Sequence, residues 1–209
     1  MEQKPLNQFV SDFISRLRLP GVKAGRSFVV ATIGLPGSGR STVAKMFAEK
    51  LQGAVLVRSN SARYLLKEAS LLWGENVRQI LKGVAIDLLG KGYGVVFDGN
   101  AADEEDRRNI SEIASQSDAK MFYVKINIDP EIAKEREQRK YDDRNWVSSF
   151  DNFRVNTTEK MLKNIDDRAE LHKNLKDSEI PNLVGVIDND GSKEDLERQV
   201  SQIIDGIQL

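Results

Sequence analysis

The stretch SFVVATIGLPGSGRSTVAKMFAEKL, residues 27–51, decides the fold. SFVVATIGL (27–35) is apolar and rich in β-branched residues with no polar alternation, the pattern of a strand buried on both faces of a sheet. LPGSG (35–39) is a glycine-rich turn. TVAKMFAEKL (42–51) then sets Val43, Met46, Phe47, Lys50 and Leu51 at helical spacing. Strand, tight turn and helix in immediate succession form the repeating unit of a parallel sheet.

The same alternation extends along the chain. AVLVRS (54–59), GVVFDG (94–99), AKMFYVKIN (119–127) and LVGVID (183–188) read as further strands. Helices are expected over 61–91 with a break near Trp73-Gly74, over 103–116, and from Pro130, which suits a first helical turn. The turn Asn189–Ser192 caps a last helix carrying Leu196, Val200, Ile203 and Ile204. These elements predict a five-stranded parallel sheet sandwiched by helices, with ligands at the C-terminal strand ends. RKYDDRNWVSS (139–149) is charged and aperiodic, so a small helical lid is expected at about 136–150. A helix over 150–176 carries Met161, Ile165, Ala169 and His172 on one stripe. Phe9, Phe13 and Leu17 predict a helix over 8–18, closed by Pro20-Gly21, in an N-terminal extension (1–26) to a domain spanning 27–209.

With 209 residues, 40% of them hydrophobic, the chain suits one medium-sized α/β domain. The absence of cysteine excludes disulfides, thiolate zinc sites and a cysteine nucleophile. A net charge of −1 supplies no general basic field for nucleic acid. No apolar run approaches the ~20 residues of a membrane span. Asp12, Arg16 and Arg18 interrupt what a signal peptide would need, so a cytoplasmic location is expected.

Gly34-Leu35-Pro36-Gly37-Ser38-Gly39-Arg40-Ser41-Thr42 follows G-x-x-x-x-G-K-[ST], with arginine at the lysine position. A curled glycine-rich backbone turns successive N–H groups inward, and the helix start adds positive potential, so polyphosphate is the expected ligand. Gly34, Pro36, Gly37, Ser38, Gly39, Arg40, Ser41 and Thr42 are therefore the expected ATP-binding residues, with Ser41 supplying the hydroxyl for Mg²⁺. Arg40 keeps the charge but is planar and bulkier than lysine, which argues against efficient turnover more than against binding. Asp98, ending an apolar strand, is the candidate carboxylate for the metal or the acceptor. Asn100 stands beside it as a candidate to orient a hydroxyl, and Arg107 or Arg108 as candidates to return to the site.

Arg58-Ser59-Asn60-Ser61-Ala62-Arg63, at the end of the second strand, resembles the corresponding segment of P-loop kinases of the polynucleotide-kinase and chloramphenicol-phosphotransferase type. The resemblance runs from about Ser27 to Ile204. It implies a catalytic acceptor site in which position 60 takes the hydroxyl proton and Arg63 steadies the acceptor. Asn60 departs from the aspartate of that pattern, and an amide is no base. The resemblance also implies lid arginines at Arg136, Arg139 and Arg144, of which Arg139 would stabilise the transferring phosphoryl group and Arg136 the nucleotide. It places the turn Asp188–Ser192 near the adenine.

Two functions stay open at this point. One is transfer of the γ-phosphate of ATP to a hydroxyl of a small molecule or nucleic-acid end, at reduced rate. The other is a catalytically impaired pseudokinase serving as a nucleotide-binding switch or scaffold. A mechanical ATPase is disfavoured by the chain's length and by the lid-like insertion before the last strand.

Overall fold

The computed structural model describes residues 5–142 and 158–207. Its strands are β1 (Phe28–Gly34), β2 (Ala54–Arg58), β3 (Gly94–Asp98), β4 (Lys120–Asn127) and β5 (Leu183–Asp188). They form one sheet in the order β2-β3-β1-β4-β5, with every pairing parallel. The helices are α1 (Leu6–Ser15), α2 (Arg40–Lys50), α3 (Ser59–Glu68), α4 (Glu75–Gly90), α5 (Glu104–Gln116), α6 (Pro130–Asp142), α7 (Thr158–Asn174) and α8 (Lys193–Gly206).

All seven residues of β1 are buried, as a central strand covered on both faces requires. Phe28 and Val30 face the layer of α2 and α8, packing with Val43, Phe47, Leu196 and Val200. Val29, Ala31 and Ile33 face the opposite layer, which contains residues of α1, α3, α4 and α5. The connection leaving β1 thus turns to one face and that leaving β3 to the other. Such a divergence between neighbouring parallel strands opens a crevice at their C-terminal ends.

The N-terminal helix is shifted from the expected 8–18 to Leu6–Ser15, and Arg16 and Leu17 close it with short backbone bonds to Phe13 and Ile14. Phe9 and Phe13 are almost fully buried in the same cluster as Val29 and Ile80. Gly83 permits this close packing, because a β-carbon there would sit 2.7 Å from Val10 Cγ2.

A larger difference concerns 139–142. These residues continue α6 through Asp142 instead of starting a loop. The charges of α6 are paired along the helix, Glu131 with Lys134 at 2.8 Å, Glu135 with Arg139 at 3.4 Å and Glu137 with Lys140 at 2.7 Å. Such i,i+3 and i,i+4 pairs support a helix without apolar periodicity. The remainder of the expected lid, including Arg144, lies outside the described residues, as does the side chain of Met161. Ile165 is fully buried on α7, with Ala169 packed against its cluster. Ser192 caps α8 as expected, accepting from the Asp195 amide.

Candidate active site

The loop between β1 and α2 is shaped by clearance as much as by dihedral preference. Gly37 and Gly39 have φ of +81° and +92°, a region that side chains rarely adopt. A β-carbon on Gly37 would lie 2.3 Å from the Ala133 carbonyl oxygen, and one on Gly39 2.4 Å from Asn189 Nδ2. Two asparagines clamp the loop. The Gly34 amide donates to Asn100 Oδ1 at 3.2 Å, and Asn189 Nδ2 donates to the Ser38 carbonyl at 2.7 Å.

The α2 start is open to a ligand. Its first intrahelical bond runs from the Val43 amide to the Gly39 carbonyl, and no side chain caps it. The amides of Arg40, Ser41 and Thr42 precede that bond and have no carbonyl four residues back inside the helix. Free N–H groups at a helix N-terminus attract anions. Ser38 Oγ and Asn100 Nδ2 are also buried without a hydrogen-bond partner among the described residues.

Across the crevice, Ser41 Oγ donates to Asp98 Oδ1 at 3.0 Å. Asp98 is positioned from several sides. Its carbonyl accepts from Ser59 Oγ at 3.1 Å, and its Oδ2 lies 3.7 Å from Arg58 Nε. A hydroxyl and a carboxylate together offer the hard oxygen donors that Mg²⁺ takes alongside phosphate oxygens. They therefore fit the metal that a nucleotide brings.

Arg40 folds back over the loop, its Cγ 3.2 Å from where a β-carbon on Gly34 would stand. Part of the residue meets solvent, yet its guanidinium is surrounded by protein atoms. Burial lowers its pKa to about 10, with Asp98 opposing and Arg168 adding to the decrease. It stays charged at neutral pH.

Arg63 Nη1 donates to Asn60 Oδ1 at 2.6 Å and to Ser59 Oγ at 3.4 Å, and the guanidinium lies 5.6 Å from the Trp73 ring. Burial lowers its pKa, and Arg168 adds to that. His172 Nε2 is buried without a partner. Burial, then Arg40, Arg168 and Lys125, push His172 down to about 4, so it is neutral at physiological pH.

The residues singled out in the sequence do not all converge here. Gly34 to Thr42, Asn60, Arg63 and Asp98 surround the crevice. Arg139 does not, because its side chain is 77% exposed and its guanidinium lies against Glu135. Arg136 is half-buried beside Glu137 on α6. Arg107 donates to the carbonyls of Ala101 and Ala102, fixing the backbone after β3, and Arg108 is exposed. The sequence reading missed Arg168 on α7, whose positive charge acts on both Arg40 and Arg63. Its signal was a charge at position 168 on the inward stripe of Ile165, Ala169 and His172. It also missed Glu137, 7% exposed on α6, whose negative charge acts on Arg40.

A family model described as "AAA domain" matches residues 29–170. The chain belongs to this AAA domain family. No curated protein matches it. Among solved structures, the AAA domain chain is similar to Kti12 of Chaetomium thermophilum in complex with ADP-AlF3, with TM-score 0.61 and 15% identity over 87% of this chain and 100% of that one. It is similar to the APS kinase CysC of Mycobacterium tuberculosis in complex with AMPPNP and APS, with TM-score 0.55 and 18% identity over 86% of this chain and 96% of that one. A gluconokinase from Sinorhizobium meliloti 1021 gives TM-score 0.55 and 14% identity over 86% and 92%. At these identities the likeness shows the fold, which is that of P-loop kinases.

Proposed function

We propose that this AAA domain chain binds ATP with Mg²⁺ and transfers the γ-phosphate to a hydroxyl acceptor at a reduced rate. The observation that carries this reading is the 3.0 Å contact of Ser41 with Asp98, beside the uncapped amides of α2. Those amides and Arg40 would hold the polyphosphate. Ser41 and Asp98 would hold Mg²⁺, which when bound neutralises phosphate charge. The turn after β5, whose Asn189 is tied to Ser38, would lie beside the adenine, as the resemblance implies.

In transfer, the acceptor oxygen bonds to the γ-phosphorus while the bond to the β–γ bridging oxygen breaks. ADP leaves with that electron pair, and the hydroxyl proton passes to solvent. Arg40, Arg63 and Arg168 supply positive charge to the equatorial oxygens, where charge spreads in a loose transition state. Asn60 accepts from Arg63 and takes up no proton, which removes a general-base contribution of ~10²–10⁴-fold.

Asn60 is also the observation that favours a second reading, a nucleotide-binding switch with negligible turnover. Calorimetric titration with ATP–Mg²⁺ tests both. Binding in the micromolar to millimolar range is expected, and no heat at millimolar nucleotide would remove both. ADP release over a panel of hydroxyl acceptors separates them.

A further inference from the structure

We propose that Arg58 is a resident cation at the metal position, which neutralises Asp98 and competes with Mg²⁺ for its carboxylate. The nucleotide site then binds its polyphosphate with only a weak dependence on the metal. This deepens the reading above and rests on its assignment of Mg²⁺ to Ser41 and Asp98.

The first observation is how the sheet sets the pair. β2 and β3 run parallel, with Arg58 and Asp98, the last residue of each, in register. Registered residues of neighbouring strands project to the same side of the sheet, with the strands about 4.8 Å apart. The Ser59 hydroxyl donates to the Asp98 carbonyl at 3.1 Å and holds that register where the strands end. The arginine therefore stands beside the aspartate by backbone placement, not by the reach of a long side chain.

The second is how the carboxylate is shared. Asp98 Oδ1 accepts from Ser41 at 3.0 Å, and Oδ2 lies 3.7 Å from Arg58 Nε. One oxygen meets the hydroxyl assigned to the metal, and the other meets a cation. The Asp98 side chain is 14% exposed and that of Arg58 48%. A carboxylate held below the surface needs a counter-charge, and the guanidinium supplies it. Half in solvent and beyond hydrogen-bond length, the pair is loose enough for a divalent ion to displace. The ion nevertheless binds against a like charge that stays tethered to the same strand end.

The third is the place of Arg58 on its own helix. It is the N-cap of α3, with no side-chain cap bond and no acidic residue in the first turn. That position favours Ser, Thr, Asp or Asn, and the helix dipole opposes a positive charge there. The arginine does not serve α3. Its charge is met across the strand boundary, by Asp98.

The test measures binding of a non-hydrolysable ATP analogue to the full chain by calorimetry, in EDTA and in saturating Mg²⁺. Arg58→Gln should weaken binding in EDTA by about threefold or more, because Asp98 then repels the phosphates uncompensated. In Mg²⁺ the same variant should bind as well as the wild type or better. Arg58→Lys keeps the charge and guards against a folding defect, so its ratio of the two affinities should stay within about twofold of wild type. In an Asp98→Asn background, Arg58→Gln should no longer change binding in EDTA, since the carboxylate it acts through is gone. The proposal is overturned if Arg58→Gln weakens binding equally in both conditions, if the ratio does not move, or if Arg58→Lys behaves as Arg58→Gln. It is also overturned if the effect persists beside Asp98→Asn, which would make Arg58 a direct phosphate ligand. If the analogue binds in neither condition, the nucleotide reading falls and Mn²⁺ alone decides the proposal, with free Mn²⁺ followed by its paramagnetic resonance signal. Mn²⁺ binding about threefold or more tighter in Arg58→Gln, and lost with Asp98→Asn, sustains the competition. Equal Mn²⁺ binding overturns it.

Discussion

Asn189, in the turn after β5, donates its side-chain amide to the carbonyl of Ser38 at 2.7 Å, fastening the last strand of the sheet to the loop that follows the first. The same amide fills the space a side chain on Gly39 would need. One residue thus fixes both the curl of the loop and the identity of its last glycine.

Asn189→Ala should cost about 1–3 kcal/mol of stability, the usual penalty for leaving a buried polar group unmet. It should also weaken ATP binding, since the loop loses a clamp. Urea denaturation with and without ATP–Mg²⁺ checks both. Unchanged stability would show that the bond contributes nothing.

Ser41→Ala removes the hydroxyl that meets Asp98. Nucleotide affinity should fall more in the presence of Mg²⁺ than in EDTA. Equal loss in both conditions would count against a metal contact at Ser41.

His172 is the only histidine in the chain, so its proton resonances are unambiguous. Its folded pKa, about 4, lies below the ordinary value of 6.5. The unfolded chain therefore binds the proton first as pH falls. The associated stability is full above about pH 6.5 and is lost on descending toward pH 4, by up to about 3 kcal/mol. His172→Gln should flatten that decline in denaturation midpoints. ATP–Mg²⁺ should raise the His172 pKa by screening Arg40 and Arg168, and an unmoved titration curve would mean that the phosphates do not reach them.

Arg40→Lys combined with Asn60→Asp should raise phosphotransfer by one to several orders of magnitude, about the range of a restored general base. The check is initial ADP release with an acceptor that the wild-type chain turns over. A rate unchanged in the double variant would favour the switch reading.

Phe13→Ala should destabilise by about 3–5 kcal/mol, because Phe13 is 2% exposed within the main core. A cost below about 1 kcal/mol would show that α1 is dispensable.

The sheet and its loop were legible because their signals are local: β1 is apolar on both faces, and the glycines sit where the backbone must turn. α6 was read too short because its length is set by charge pairs such as Glu135 with Arg139, which a search for apolar periodicity passes over. Arg168 was not legible as a site residue because its influence on Arg63 depends on how α7 packs against α6. Arg107 misled for the converse reason: an arginine near the strand ends is no guide to function when two backbone carbonyls take its donors.

The contact of Gly37 with Ala133 has a mechanical outcome. Leu35, Ile128, Ala133 and Ile165 form one buried cluster. The glycine-rich loop, the root of α6 and the middle of α7 are consequently packed as a single block. Any swing of α6 must pivot beyond its first turn, which leaves Glu137 and Arg136 on the moving arm and the glycines at the anchor.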